Sequence, residues 1–357
     1  MYNEPDLNSL EDQLNIDNQN IRQAFENFME ARALVREARS QYFPTVGIGG
    51  SYSRSQSSGD LSSSAASGKQ TQVFSLPADA SWEPDLWGKV RNSVRASQYT
   101  AQLTAADLEN ERLTEQAILA EYFFELRGQD VLQKILNDTV EDDKKALDAV
   151  RAAYDTGVGD EISVVEAQTT YESAQSAAIN IGIARAQYEH AIALLVGKPA
   201  STFSIQVEAK TSAPPSIPVG LPSQLLERRP DIAAAKQNMA AANAQIGVAR
   251  AAFYPALRLS ATGGVESSTI KNLLDWPSRF WSVGPSISET VYDGGLRRAT
   301  VNQYIAIYNA NVAAYRQSVL VAFEQVKDSL AAVRLLSQQS CASRMRLTHR
   351  GRFYNLN

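Results

Sequence analysis

The segment Phe43-Pro44-Thr45-Val46-Gly47-Ile48-Gly49-Gly50-Ser51-Tyr52-Ser53 alternates between apolar and small polar side chains. After a loop rich in serine, glycine and alanine, residues 73–83 alternate in the same way, and Asp85-Leu86-Trp87-Gly88-Lys89 begins a helical pattern. Successive side chains of a β-strand point to opposite faces, so a period of two predicts a strand with one apolar and one polar face. Residues 42–91 therefore predict two strands that lead directly into a helix.

The same unit occurs again later in the chain. Arg39-Ser40-Gln41-Tyr42-Phe43-Pro44 matches Arg250-Ala251-Ala252-Phe253-Tyr254-Pro255, and Phe74-Ser75-Leu76 matches Trp281-Ser282-Val283 after a shorter loop. The period is roughly 200 residues, and such a repeat governs the interpretation of any local motif. We predict a first repeat over residues 1–199, a proline-rich linker over 200–222 and an incomplete second repeat over 222–339.

Long helices flank both pairs of strands. Residues 89–154 contain no proline and one glycine, which predicts a continuous helix of roughly 100 Å. A kink near residues 15–17 is an alternative to a single first helix. The predicted elements of the first repeat are helix 8–42, strands 44–53 and 73–83, and helices 88–154 and 160–197. Those of the second repeat are helix 222–253, strands 256–266 and 280–290, and helix 295–339.

The composition argues against several classes of function. The chain of 357 residues has 34 Lys and Arg against 39 Asp and Glu, so it lacks the basic excess typical of nucleic-acid binding. One cysteine and two histidines offer little for catalysis or metal binding, and we predict no enzyme activity, no metal and no cofactor. We recognise no secretory signal peptide and no apolar run of roughly 20 residues that could span a membrane as a helix. These properties alone would suggest a soluble cytoplasmic protein.

The four predicted strands suggest a different location. Each is long enough to cross a bilayer when tilted. Four strands cannot close a barrel, so strands would have to be pooled between chains, and three chains would give twelve. The alternative is a soluble four-stranded sheet beside a helical bundle, with the aromatic residues in its core. Aromatic side chains near the strand ends are typical of the girdles at membrane surfaces, and the candidates are Tyr42, Phe43, Trp82, Trp87, Phe253, Tyr254, Trp281 and Tyr292.

Three motifs resemble the TolC-like outer membrane efflux proteins, most closely the lipoprotein channels that serve resistance-nodulation-division (RND) pumps. They are Ser81-Trp82-Glu83-Pro84-Asp85-Leu86-Trp87-Gly88-Lys89, Leu225-Leu226-Glu227-Arg228-Arg229-Pro230-Asp231-Ile232 and Val291-Tyr292-Asp293-Gly294-Gly295. The resemblance covers residues 1–339. It implies an α+β, mainly α fold in which long coiled helical hairpins form a periplasmic α-barrel and four antiparallel strands join a trimeric twelve-stranded transmembrane β-barrel.

The resemblance also implies a function and partners. The expected protein is a homotrimeric channel in the cell outer membrane that passively exports small molecules and works with a periplasmic adaptor protein and an inner-membrane RND pump. An alternative is a periplasmic helical scaffold or adaptor without a pore, although adaptors lack paired strands of this kind. We expect the chain to be truncated at both ends, because it shows neither an acylated N-terminal cysteine nor a second return helix, and we expect residues 340–357 to be an atypical, non-helical tail.

The turn between the two long helices is the candidate gate. By resemblance it lies at the periplasmic tip, where acidic and aromatic side chains narrow the entrance. A ring of carboxylates from three subunits would attract cations. The alternative is a solvated hairpin end with an aspartate that caps a helix. The candidates are Arg151, Tyr154, Asp155, Asp160 and Glu161.

Overall fold

The computed structural model describes residues 4–58, 70–210 and 228–354, with side chains up to residue 343. The chain forms two compact units, one from Met1–Asn27 with Ala105–Pro230 and the other from Phe28–Thr104 with Asp231–Asn357. The predicted linker lies largely outside the described residues, as does the start of the helix predicted over 222–253.

The first unit is helical. It contains α1 (Pro5–Asp17), the greater part of α3 (Lys89–Asp155), α4 (Glu161–Leu195) and a short 3₁₀ turn, Ala200–Thr202. A row of leucines on α1 packs against α3 and α4 in one apolar core. The fully buried members of this core are Leu7, Leu14, Leu119, Phe123, Leu126, Ile192 and Val196.

The helix predicted over 8–42 is divided into α1 and α2 (Gln19–Ser40), as the alternative with a kink anticipated. The break is at Asn18, whose side-chain oxygen accepts hydrogen bonds from the amides of Asn20 and Ile21 at the start of α2. The side-chain nitrogen Nδ2 of Asn18 donates to the carbonyl oxygen of Leu195 at 2.9 Å. Asn18 is buried, and its side-chain polar atoms all form hydrogen bonds when it caps α2. The capped break is therefore more favourable than one continuous helix through Asn18.

A buried ionic cluster fixes the segment that follows α4. Asp130 is 1% exposed, and its carboxylate accepts from Arg185 Nε at 2.7 Å and from Arg127 Nη1 at 3.3 Å. The two arginines also donate to backbone carbonyls of the extended chain, Arg185 to Ile205 and Arg127 to Gln206. The side chains of the cluster thus form hydrogen bonds with the backbone of residues 205–208, which has no neighbouring β-strand to bond with in the described part of this unit.

The second unit contains the sheet. Its strands are β1 (Thr45–Ile48), β2 (Ser51–Gln56), β3 (Gln70–Trp82), β4 (Ala256–Ser267) and β5 (Arg279–Ser288). All pairings are antiparallel in the order β1–β3–β4–β5, and β2 pairs with β3 beside β1. The sheet therefore joins the strands of both repeats through β3 and β4.

The first predicted strand is interrupted at Gly49 and Gly50 although its register against β3 does not change. The physical reason is Pro77 in β3. The amide of Gly49 donates to the carbonyl oxygen of Pro77 at 2.9 Å, but proline has no N–H to donate in return. β1 and β2 are thus two parts of one edge strand.

The remaining helices of this unit are α5 (Pro230–Ala251) and α6 (Leu296–Tyr354). α6 corrects the expectation of a non-helical tail after residue 339, because the helix continues through Tyr354. Neither proline nor glycine occurs between residues 296 and 350, so nothing in this segment stops the helix.

Candidate functional site

The strand register sorts the side chains of the sheet onto two faces, because residues directly opposite each other in an antiparallel pair share a face. Most aliphatic residues of the strands fall together, for example Val46 with Ala80 and Leu76 with Val265, whereas Val73 pairs with Ser53 on the other face. This apolar face is exposed in one chain, with Ile48 80%, Val283 71% and Ile287 73% accessible. Its main members are Val46, Ile48, Tyr52, Phe74, Leu76, Trp82, Leu257, Leu259, Val265, Trp281, Val283 and Ile287.

The opposite, polar face is built mainly from serine, threonine and glycine. Hydrogen bonds link its neighbours, from Thr262 Oγ1 to Asp79 Oδ1 at 2.7 Å and between the Thr45 and Ser81 hydroxyls at 3.2 Å. At Gly264 the strands approach so closely that a Cβ atom would lie 2.4 Å from the carbonyl oxygen of Leu76. The sheet is therefore polar and small-residue-rich on one face and apolar on the other.

Seven of the eight aromatic candidates lie around one end of the sheet, where β3 and β5 end. We call this the helical end, because α3 and α6 follow it in the chain. Trp82 donates from Nε1 to the carbonyl oxygen of Tyr42 at 3.0 Å, and Trp87 donates to that of Pro255 at 2.7 Å. The Trp87 and Tyr254 rings stack with centroids 4.9 Å apart. The seven residues are Tyr42, Phe43, Trp82, Trp87, Phe253, Tyr254 and Tyr292.

The eighth candidate, Trp281, lies in β5 opposite Gly263, towards the other end of the sheet, which we call the loop end. The 268–278 connection at this end carries Trp276, and Arg279 stacks on that ring at 3.8 Å from its centroid. Arg279 shares the apolar face with Trp281. This arginine was not among the residues predicted from the sequence, although the alternation through Trp281 and Val283 already indicates which face it occupies.

The candidate gate residues lie together around the turn between α3 and α4. Arg151, Tyr154 and Asp155 are in the last two turns of α3, and Arg151 Nη2 donates to Gln168 Oε1 of α4 at 2.7 Å. Gly157 has a φ of +75°, which allows the sharp turn, and the amide of Val158 bonds back to the carbonyl oxygen of Ala153. All five candidates have side chains in contact with solvent, and Tyr154 is 44% exposed.

Asp160 and Glu161 begin α4. The Ser163 hydroxyl donates a short hydrogen bond to the Asp160 carboxylate, and this bond holds the pKa of Asp160 below its ordinary value. Glu161 is in the first turn, where a negative charge interacts favourably with the helix dipole. Together with Asp155, the turn therefore presents three acidic side chains to solvent, and Asp160 has a strengthened preference for the charged form.

At the helical end of the sheet Asp293 has a structural role. Its carboxylate accepts from Arg297 Nε at 2.7 Å and from the amide of Gly295 at 2.9 Å, and these bonds lower the pKa of Asp293. Arg297 also lies over the Phe253 ring at 5.4 Å. Asp293 thus fixes the turn from β5 into α6.

Over residues 4–58, 70–210 and 228–354 the side chains of His, Cys, Asp and Glu form no group of three that could hold a metal ion. In the same part of the chain, none of the helices combines the length and the apolar composition needed to cross a bilayer.

Comparison with known proteins identifies the family. The model of the family described as outer membrane efflux protein matches residues 10–198 and 221–357. The probable efflux pump outer membrane protein TtgC of Pseudomonas putida is 28% identical over 346 residues, which are 96% of this chain and 71% of TtgC.

Two solved structures share the fold. The outer-membrane channel OprN superposes with a TM-score of 0.82 at 30% identity, over 90% of this chain and 72% of OprN. A crystal structure of CusC, whose study concerns folding and transmembrane channel formation, gives a TM-score of 0.88 at 26% identity, over 97% of this chain and 80% of CusC. The chain belongs to the outer membrane efflux protein family.

Proposed function

We propose that three copies of this chain assemble into a channel of the outer membrane that passively exports small molecules. The sheets of the three copies form a twelve-stranded β-barrel in the lipid, and the long helices form a tunnel in the periplasm. The channel receives its cargo from an inner-membrane RND pump through a periplasmic adaptor protein. The similarity to TtgC, named as a probable efflux pump outer membrane protein, and to OprN, described as an outer-membrane channel, supports this assignment.

The observation that carries the proposal is the two-faced sheet with its open edges. Its apolar face is exposed although it contains valine, isoleucine and tryptophan, and lipid is the environment in which such a face is stable. In the described part of the chain, β1 and β2 pair only with β3, and β5 pairs only with β4. Unpaired edges are not tolerated in hydrocarbon, so the strands require partners from other copies.

The polar face then lines the pore. Serine, threonine and glycine leave room for solute and water, whereas large side chains would fill the lumen. The tip residues Arg151, Tyr154, Asp155, Asp160 and Glu161 narrow the periplasmic entrance of the channel, and their carboxylates favour cations there. The bond from Arg151 to Gln168 holds the two helices of one hairpin together at this level.

A pair of adjacent substitutions in β5 tests the proposal. Val283 lies on the apolar face opposite Ala261, and Ser282 lies on the polar face opposite Thr262. A lysine on the lipid face of a barrel costs about 2–4 kcal/mol at the middle of the bilayer, and less near its surfaces. We expect Val283→Lys to reduce incorporation into lipid vesicles, and Ser282→Lys to incorporate like the original chain.

The assembly state is measured on the same proteins. Light scattering of the full chain refolded in detergent should give the mass of a trimer, and planar bilayers should show stepwise currents. A monomer that stays in solution without detergent, with equal behaviour of the two lysine variants, would refute the barrel and favour a helical scaffold.

A further inference from the structure

The loop end of the sheet carries a positive charge on the face that is otherwise apolar. Arg279 is the first residue of β5, pairs with Val265 of β4 and alternates onto the same face as Trp281 and Val283. A guanidinium is charged at every physiological pH, so its position on this face requires either a partner or access to water.

The contacts of Arg279 leave its hydrogen-bond donors available. The guanidinium carbon lies 3.8 Å from the centre of the Trp276 ring, a distance at which the two planes are in contact. Stacking uses the flat face of the guanidinium, whereas its N–H donors lie in the plane and point outwards. Among the described residues, Arg279 forms no ion pair and its side chain donates no hydrogen bond.

Large apolar side chains surround this cation and are open to solvent. Trp276 is 76% exposed, Leu274 78% and Trp281 80%. The connection contains Lys271 and Asp275, whose charges offset each other. The connection taken together with Arg279 therefore has a net positive charge. Tryptophan beside arginine at the edge of an apolar surface is the composition found where a membrane protein meets lipid headgroups.

We propose that Arg279, stacked on Trp276, binds the phosphate of a lipid headgroup in the leaflet at the loop end of the sheet. The inference rests on the proposed function, because that function places the apolar face in the bilayer. A guanidinium can give two parallel hydrogen bonds to a phosphate, and Trp276, Trp281 and Leu274 would lie against the adjoining acyl chains.

A second arginine supports a lipid rather than a protein as the ligand. Arg54 lies on the same face of the neighbouring hairpin, two residues beyond Tyr52 and opposite Gln72. Its guanidinium donates to the neutral side chain of Gln70 at 2.6 Å. The apolar face of each hairpin thus has an arginine towards the loop end. A layer of headgroups would contact both arginines, whereas a single protein partner would not need to.

The test measures lipid preference on the full chain. The protein is reconstituted in vesicles of phosphatidylcholine to which brominated phosphatidylglycerol or brominated phosphatidylcholine is added. Quenching of tryptophan fluorescence reports the lipid next to all four tryptophans, of which Trp276 and Trp281 lie towards the loop end and Trp82 and Trp87 at the helical end. A Trp276→Phe background identifies the share of the signal from Trp276. We expect the original protein to bind the anionic lipid preferentially, and Arg279→Gln to reduce this preference about fivefold.

Arg258→Gln is the matched control, because Arg258 is an exposed arginine on the polar face of β4, opposite Ser286. It should leave the lipid preference unchanged, and Arg279→Lys, which keeps the charge, should retain most of it. If Arg279→Gln incorporates as a trimer with the preference of the original protein, the phosphate site is refuted while the channel stands. If the original protein does not enter vesicles at all, both proposals fail.

Discussion

At the scale of single residues, the sheet depends on how closely β3 and β4 approach. Gly263 and Gly264 are adjacent and identical, and the sequence offers no reason to treat them differently. Their surroundings differ. A Cβ atom added to Gly264 would lie 2.4 Å from the carbonyl oxygen of Leu76, whereas a Cβ atom added to Gly263 would lie 3.8 Å from its nearest neighbour. The period of two predicted which face each glycine occupies, but only the register shows which one is crowded.

This difference predicts unequal effects of the same substitution. Gly264→Ala must push β3 and β4 apart, and overpacking of this kind costs about 1–3 kcal/mol. Gly263→Ala meets only ordinary contacts and should change the free energy of unfolding by less than about 0.5 kcal/mol. Urea titration in detergent, followed by tryptophan fluorescence, measures both. Equal losses for the two variants would contradict the close approach at Gly264.

At the scale of elements, the sequence predicted the strands and long helices well, anticipated the break near Asn18 only as an alternative, and missed the break at Gly49. Alternation and the absence of proline are local properties, so they are visible in one segment. The break at Gly49 depends on Pro77 in the facing strand, and the break at Asn18 depends on the carbonyl of Leu195 in α4. Partners distant in the chain also explain why the cluster around Asp130 was missed.

The Asp130 cluster should contribute strongly to the stability of the first unit. Asp130→Asn removes the charge that faces Arg127 and Arg185 inside the protein, and loss of one partner from a buried ionic cluster typically costs about 3 kcal/mol. Loss of helical circular dichroism in urea is the measurement. As a control, Glu141→Gln breaks an ion pair with Lys145 on the surface and should have no measurable effect. An equally small effect at Asp130 would show that the cluster is dispensable.

At the scale of the whole molecule, the internal repeat and three motifs indicated the family before any geometry was available, and the match to the outer membrane efflux protein family confirms it. The antiparallel sheet and the dominance of helix were predicted as well. The end of α6 was predicted wrongly, because a change towards basic composition was taken for an end of helical structure. The roles of the tip and of the aromatic residues remain predictions.

The tip acids are tested in the assembled channel. Asp160→Asn with Glu161→Gln removes two charges per subunit from the entrance and should lower the permeability of cations relative to anions in planar bilayers. Asp138 is an exposed acid elsewhere on α3, and Asp138→Asn should leave the permeability of cations relative to anions unchanged. Because the Ser163 hydroxyl lowers the pKa of Asp160, the contribution of Asp160 to the cation preference should persist below the ordinary aspartate pKa of about 3.9. In Ser163→Ala, Asp160 should lose its charge, and with it this contribution, at a higher pH. Unchanged selectivity in the double variant would remove these residues from the gate.

The joining of β3 to β4 also sets an order of events during folding. Phe74 pairs with Ser267 and Trp82 with Leu259, so the central pairing of the sheet joins segments that are 177 to 193 residues apart in the chain. The helices α3 and α4 lie between them in the chain, and single helices form fast, whereas strand pairings across such a distance form slowly. During this interval the first hairpin has an uncovered edge, which invites aggregation. We therefore expect the unfolded chain to need protection from its neighbours until β4 pairs with β3.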